Sequence, residues 1–439
     1  MGFERRSFFK LAALGAAGSV FAKEAGKPAC LGGKPVRTKA FPSWPIVGER
    51  DLKEWVAALK SRRWCRIGGH RVSAFEKAFG ELIGARYCVA TTNGTNALFT
   101  AINVLDIGPG DEVIVPPYTF VATVNAVVLR YALPIFVDTD RRSFQIDANK
   151  IEQSLTKRTR CILPVHLGGI PADMDKIMEI SRKHSLPVVE DACQAHLAEW
   201  RGKCVGTIGT IGCFSFQETK NLASGEGGMF VTEDENIYEL AWSFNTNGRA
   251  RRRGYGFSYP FPGSNVRMTE YQGALLTAQM SRLKEQAERR SRNGAYLTRM
   301  LNEIPGISPA VPYAGTTRNA YHLYMLRYSP EAFSGLSRDK FLRALRSEGI
   351  PCSGGYRPLN KEPFLKRCFE SRGFRRIYGD GLYKRWLERN QCPENDKLCQ
   401  EAVWFFQALL LAEKRDMEDI AEAIEKIRKS SHLLVKKLS

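Results

Sequence analysis

Between residues 112 and 232 the apolar positions come in short unbroken runs, with polar residues between the runs rather than alternating inside them. The runs are "EVIVP" at 112, "LPIFVDTD" at 133, "RCILPVHL" at 160, "LPVVEDA" at 186, "IGCFSFQ" at 211 and "GGMFVTE" at 227. Strands of this kind are buried on both faces, as in a mostly parallel sheet covered by helices. Helical stretches such as "DMDKIMEISRKHS" lie between them as crossovers, so the pattern predicts an α/β class. Ahead of the runs, Asp51 reads as an N-cap and Glu54 as its capping-box partner. Leu52, Trp55, Val56 and Leu59 then form the apolar stripe of a helix.

After about residue 285 the period changes. "RDKFLRALRSEG" and "DMEDIAEAIEKIRK" are amphipathic helices set around the short runs "YHLYMLRYS" and "GIPCSGGY". In the last helix Met417, Ile420, Ile424 and Ile427 make the apolar stripe. The expected division is an N-terminal arm and large domain over residues 23–285, then a smaller α+β domain over 286–439. The basic, aromatic stretch of residues 364–389 reads as an insertion or a partner-contact element.

Length and charge narrow the classes. A chain of 439 residues exceeds one ordinary domain. The net charge of +19 invites a nucleic-acid reading, but the basic residues are scattered and only "GRARRRGYG" is a tight cluster. No zinc-finger spacing or RNA-binding aromatic signature accompanies it, so an anionic small substrate or plain surface charge explains the balance and no nucleic-acid partner is expected. The 11 cysteines are odd in number and include no C-x-x-C pair, which argues against a disulfide framework and a thiolate metal site. The N-terminus differs in kind. "ERRSFFKLAALGAAGSVFA" sets Arg5 and Arg6 before an apolar stretch too short to span a bilayer. Residues 1–22 read as a twin-arginine-type export signal, with an amphipathic helix as the alternative.

The chemistry centres on "CFSFQETKNLASGEGGMF", residues 213–230. A P-loop places its lysine after the glycines, whereas Lys220 precedes Gly225, Gly227 and Gly228. That leaves a solvated loop lysine or a covalent catalyst. Three further signals fall at strand ends, where α/β sheets gather ligands. "TTNGTNAL" opens a helix at Gly94 and Thr95, where free N–H groups favour a phosphate. "PPYTFVAT" sets Tyr118 and Phe120 after a strand, and "VVEDACQAH" ends a very apolar strand on Asp191. Taken singly, Gly94 reads as a turn residue, Phe120 as core and Asp191 as a cap. Taken together, they fit a phosphate cradle, a flat aromatic surface and a carboxylate awaiting a cation. The protonated ring nitrogen of pyridoxal phosphate meets that description.

The chain resembles the DegT/DnrJ/StrS class of fold-type I, pyridoxal-phosphate-dependent aminotransferases, which aminate keto-sugars and keto-cyclitols. The resemblance rests on "NGTNAL", "GPGDEVIVPPYTFVAT", "PIFVDTD", "PVHLGGIPADMD", "VVEDACQAH", "GCFSFQETKNLASGEGG" and "GSNVRMTEYQGALL". It implies a large, mostly parallel-sheet domain with a smaller C-terminal α+β domain, working as a homodimer. It further implies that Lys220 holds the cofactor covalently and then serves as general base, and that Asp191 keeps the ring nitrogen protonated. Gln194 would lie by the ring oxygen and Phe120 would stack on the ring. Gly94, Thr95 and Ser215 would bind the phosphate, joined by Asn265 of a second subunit. A related subgroup carries histidine in place of this lysine and dehydrates sugars, and the retained Lys220 argues against that activity. "LGGKPVRTKAFPSWP", "RWCRIGGHRVSAFE" and "CPENDKLCQEAVWFFQALLL" look most like the scyllo-inosose aminotransferases and the 3-amino-5-hydroxybenzoate synthases. The donor implied is glutamate or glutamine. A ring-aromatising lyase and an exported, non-catalytic binding protein are the alternatives. Where many members of the class carry a tyrosine after "PVHL", Gly168 stands here, which predicts a wider pocket or room for a neighbour's loop. His166 and His196 are candidate pocket liners, and Arg249 to Arg253 are candidates for a donor carboxylate or a substrate phosphate.

Overall fold

The computed structural model describes residues 26–251 and 258–437, so residues 1–22 with their twin-arginine motif, and Arg252 and Arg253, lie outside the described residues. The large domain is built on strands β1 (Tyr87–Thr91), β2 (Glu112–Val115), β3 (Leu133–Phe136), β4 (Thr159–Ile162), β5 (Val189–Asp191), β6 (Ile211–Ser215) and β7 (Gly228–Thr232). One ladder runs β1-β7-β6-β5 and another β3-β2-β4. Parallel bridges Ile162 to Val188 and Val165 to Asp191 join them. Each predicted run became a strand, and all are nearly or wholly buried, which is why their apolar residues do not alternate. The exception to the parallel order is β7, which runs antiparallel to both β1 and β6.

Helices cover the sheet: α1 (Glu49–Lys60), α2 (Arg71–Ile83), α3 (Gly94–Val104), α4 (Ala122–Val128), α5 (Met174–His184), α6 (Glu235–Asn245), α7 (Glu270–Met280) and α8 (Leu283–Leu301). α1 starts earlier than its sequence pattern predicts, with Gly48 as N-cap. Asp51 instead occupies the third helical position, where Oδ2 accepts from the Gly48 N–H at 2.7 Å and pairs with Arg282 at 2.8 Å. α7 is capped by Thr269, with Gln272 completing the box. Its Glu270 carboxylate accepts from the N–H groups of His70, Arg71 and Val72 at 2.7–3.2 Å, capping α2 as well.

The small domain sets β8 (Ile307–Pro309), β9 (Leu323–Tyr328) and β10 (Ala402–Phe406) in an antiparallel sheet, ordered β8-β9-β10. The sheet is backed by α9 (Arg338–Ser347) and by the long helix Lys414–Lys429, whose Met417, Ile420, Ile424 and Ile427 are fully buried. Arm residues Cys30, Leu31, Val36 and Phe41 pack on this small core. Conversely, the short helices α10 (Pro363–Phe369), α11 (Arg372–Tyr378) and α12 (Leu382–Arg389) pack Leu365, Phe369, Phe374 and Trp386 into the large core. They cover edge strand β3: Trp386 Nε1 donates to Pro134 O at 2.7 Å, and the Phe136 N–H donates to Asn390 Oδ1 at 2.6 Å. The stretch read as an insertion or partner-contact element therefore docks on its own sheet.

Candidate active site

The ends of β1, β5 and β6 and the turn after β2 converge on a cavity of about 690 Å³. The cavity is lined by Gly94, Thr95, Phe120, Asp191, Gln194, Ser215 and Lys220, so seven of the eight residues expected to hold the cofactor meet there. Asn265 does not line it. That residue is exposed, bridged to Thr246 on the same chain.

At β1 the chain turns straight into α3. The Asn93 side chain accepts from the Asn96 N–H at 2.9 Å, which leaves the Gly94 and Thr95 N–H groups without an intrahelical partner at the positive end of the helix dipole. Glycine is required at 94 by close approach: a β carbon there would stand 2.7 Å from Ser215 Cβ and 2.9 Å from Cys193 Sγ. β6 ends at Ser215, beside this turn. Amide donors, the hydroxyls of Thr95 and Ser215 and the absent side chain at 94 suit a phosphate.

Asp191 ends β5 and is buried. Its Oδ2 accepts from Thr123 Oγ1 at 2.8 Å and its Oδ1 from the Cys193 N–H at 3.2 Å. Thr119 and Thr123 share a 2.9 Å hydroxyl contact, so the turn after β2 and the start of α4 hold the carboxylate in place. No ion-pair partner meets Asp191 among the described residues, which leaves the charge facing the cavity. Its neighbour Glu190 points the other way, accepting from Gly206, Ile208 and Gly209 N–H groups at 2.6–2.7 Å and contacting His166 Nε2 at 2.9 Å.

Lys220 sits in the loop after β6. The loop folds back on itself, with Phe216 N donating to Gly227 O at 2.7 Å and Glu218 N to Gly225 O at 2.9 Å. It is tethered from outside by Trp44 Nε1 on Glu218 O at 2.8 Å and by Asn221 Nδ2 on Ala320 O at 2.7 Å. Lys220 Nζ makes no hydrogen bond or ion pair among the described residues, and its head faces the cavity. Burial pulls its pKa below the ordinary lysine value, an effect opposed by Cys193 and by the negative charge of Asp191. The amine is thereby readier to act as a nucleophile or base.

Two expectations change. Gly168 does not widen the cavity, because Met325 fills the space and a β carbon at 168 would lie 2.5 Å from its methyl carbon. Gly168 also has a left-handed φ of 66°, and its N–H donates to Gln194 Oε1 at 2.8 Å, fixing that amide. Neither His166 nor His196 lines the cavity: His166 serves Glu190, and His196 packs on Phe214 and Phe216. Burial and the nearby charge of Lys220 push the His196 pKa down to about 3. The histidine that does line the cavity is His322, just ahead of β9, and burial drives its pKa well below the usual value. Tyr356, Trp404 and Phe406 also line it from the small domain and were not singled out in the sequence. Of the arginine cluster, Arg251 pairs with Glu239 and lies over the Tyr238 ring at 4.9 Å.

A phosphate cradle, an unpaired carboxylate and a free lysine in one cavity fit pyridoxal phosphate. Gly94, Thr95 and Ser215 could hold the phosphate, and the Asp191 carboxylate and Lys220 amine line the same space. Comparison with known proteins agrees. A protein of Micromonospora echinospora provisionally named L-glutamine:3-amino-2,3-dideoxy-scyllo-inosose aminotransferase is 37% identical over 423 residues, covering 94% of this chain and 99% of the relative. The L-glutamine:scyllo-inosose aminotransferase of Streptomyces griseus is 34% identical over 415 residues, covering 91% of this chain and 97% of the relative. Among solved structures, that of a 3-amino-5-hydroxybenzoic acid synthase superposes with a TM-score of 0.80 at 32% identity, covering 89% of this chain and 99% of that one. The DegT/DnrJ/EryC1/StrS aminotransferase family matches residues 45–424. The chain belongs to this family and is a pyridoxal-phosphate-dependent aminotransferase.

Proposed function

We propose that this chain moves the amino group of L-glutamine onto the carbonyl carbon of a keto-cyclitol of the scyllo-inosose type. The observation that carries the reading is the meeting of Lys220 and Asp191 in one cavity, in a chain aligned over 91–94% of its length with relatives named for that donor and that class of acceptor. Pyridoxal phosphate supplies an electron sink for the pair left when a proton leaves the substrate carbon. Lys220 would hold the cofactor covalently and, when its amine is free, would move a proton at the substrate carbon. The Asp191 carboxylate, held in position by Thr123 and Cys193, would keep a proton on the cofactor's ring nitrogen. Phe120, 55% exposed, offers a ring face, and Gln194 an amide for the ring oxygen.

The test is a panel of keto-inositols, nucleotide keto-sugars and keto-sugar phosphates, with glutamine and glutamate as donors, read as 2-oxo-acid formation. Transfer to a keto-inositol from glutamine is expected, and transfer confined to nucleotide sugars would overturn the acceptor. An aromatising lyase is the second reading, favoured by the 0.80 TM-score to a 3-amino-5-hydroxybenzoic acid synthase. It predicts aromatic absorbance from a cyclic amino-keto-acid with no separate amino donor.

Two finer points belong to the same proposal. The protein works as a homodimer, with Asn265 of each subunit completing the other's phosphate site; its exposure outside its own cavity supports this. Residues 1–22 direct export of the folded enzyme, supported by Arg5 and Arg6 before the short apolar stretch. A reporter fused to residues 1–30 is expected outside the cytoplasm, and inside it once both arginines become lysine. Retention of the unaltered fusion would refute export.

A further inference from the structure

Tyr356 reaches the cavity from the small domain, and the chain before it fixes its aim. Ser353 exchanges backbone hydrogen bonds of 2.9 and 3.0 Å with Trp404, pinning the loop to β10. Gly355 then turns the chain with a left-handed φ of 79°, so close to the core that a β carbon would stand 2.4 Å from the Tyr118 hydroxyl. Past this turn the Tyr356 ring is held edge to face by Trp404 at 4.7 Å and by Tyr118 at 5.6 Å. The hydroxyl at its tip meets Gln194 of the large domain. The Gly168 N–H donates to Gln194 Oε1 at 2.8 Å, which fixes the amide's orientation and puts Nε2 3.1 Å from the Tyr356 oxygen. An amide nitrogen only donates. Tyr356 therefore accepts at that contact, and its own O–H proton has no acceptor among the described residues.

We propose that the Tyr356 hydroxyl donates a hydrogen bond to an oxygen of the keto acceptor and so recognises that substrate rather than the amino donor. This rests on the keto-cyclitol reading above and adds to it the residue that binds the acceptor. Charge decides between the two substrates. Tyr356 is a neutral donor: burial pushes its pKa up to about 12, against the bond from Gln194 and with the charge of Asp191, so it keeps its proton at neutral pH. Glutamine brings a carboxylate, which a cation meets best. The small-domain wall offers none, since its other members are Leu323, Trp404, Phe406 and a His322 that burial holds neutral. Two further polar atoms of this wall, Trp404 Nε1 and His322 Nδ1, are fully enclosed by protein. A keto-cyclitol presents only neutral carbonyl and hydroxyl oxygens, each an acceptor that a neutral O–H matches.

The test uses the cofactor-loaded full chain and Tyr356→Phe, which removes the oxygen and keeps the ring. The two halves of transfer are followed separately by stopped-flow absorbance, glutamine driving one and scyllo-inosose the other. In the variant, kcat/KM of the scyllo-inosose half should fall roughly tenfold to a hundredfold, while the glutamine half should change less than about threefold. Calorimetry reads binding without turnover: scyllo-inosose titrated into the pyridoxal phosphate form has no amino group to take, and its Kd should rise about tenfold. 2-Deoxy-scyllo-inosose, which lacks one hydroxyl beside the carbonyl, locates the oxygen. Equal losses for both ketones place the bond on an oxygen they share, and a loss confined to scyllo-inosose places it on that hydroxyl. Unchanged acceptor kinetics and binding in a variant that retains cofactor overturn the role of Tyr356, and so does an equal loss in the glutamine half. Wild-type protein that transfers to neither ketone would instead remove the keto-cyclitol function and the acceptor bond with it.

Discussion

At the scale of single residues, Lys220 and Asp191 carry the sharpest expectations. Only a neutral amine attacks the cofactor's aldehyde, and burial lowers the Lys220 pKa from the ordinary 10.5. The rate of cofactor capture by apoprotein should therefore rise with pH and level off below that value. Stopped-flow absorbance checks it, and a midpoint at or above 10.5 would show that burial has no such effect in solution. Lys220→Ala should abolish both covalent capture and transfer. Asp191→Asn keeps the hydrogen bond from the Cys193 N–H within reach but removes the charge that holds the ring proton, so kcat should fall about a hundredfold or more while the cofactor still binds. An unaffected kcat would release Asp191 from that role. Asp191 was legible in the sequence because it ends an apolar run, where a charge has no structural excuse, and Lys220 because it stands between such a run and a cluster of glycines. Tyr356, Trp404 and Phe406 were not. They reach the cavity from β10 and the loop paired with it, more than a hundred residues beyond Lys220, in a run whose two faces are equally apolar, so nothing local separates the cavity face from the core face. Gly168 misled for a related reason, since the residue that fills its space, Met325, is distant in sequence.

At the scale of elements, the strands were legible from unbroken hydrophobicity, but their directions were not. β7 is antiparallel because the loop carrying Lys220 returns the chain beside β6 instead of crossing the sheet. Residues 364–389 were legible only as unusual, since what they cover is β3, more than two hundred residues earlier. Trp386 is the pin. It is 3% exposed, meets Phe136 at 5.6 Å and Phe369 at 5.0 Å, and donates to Pro134 O. Trp386→Ala should cost about 3–5 kcal/mol of stability by denaturant titration and raise amide exchange at residues 133–136. The cavity lies elsewhere, so kcat at permissive temperature should hold. Loss of activity without loss of stability would instead tie this segment to the site.

At the scale of the whole molecule, α1 poses the question. Its apolar stripe of Leu52, Trp55, Val56 and Leu59 was legible in the sequence, and it stands exposed on the single chain, as do Trp64 and Ile67. Trp55 and Trp64 both pack on Tyr271 of α7, six residues after Asn265, so the bare apolar surface and the stranded amide adjoin the same helix. An exposed apolar face of this kind marks an interaction site. If a second copy covers it, Asn265 is carried toward a neighbour's phosphate cradle. Asn265→Ala should then weaken cofactor retention roughly ten- to a hundredfold, the worth of a hydrogen bond to a charged group, without unfolding the chain. Mixing subunits decides whether the bond is made across the interface. In a heterodimer of Lys220→Ala and Asn265→Ala chains, action in trans puts both lesions in one site and neither in the other, so half the heterodimer's sites should recover wild-type cofactor affinity and turnover. Action in cis leaves one lesion in each site and restores nothing. Subunit exchange proven by mass spectrometry with no recovery of activity would place Asn265 on its own chain's business and leave the face of α1 to some other partner.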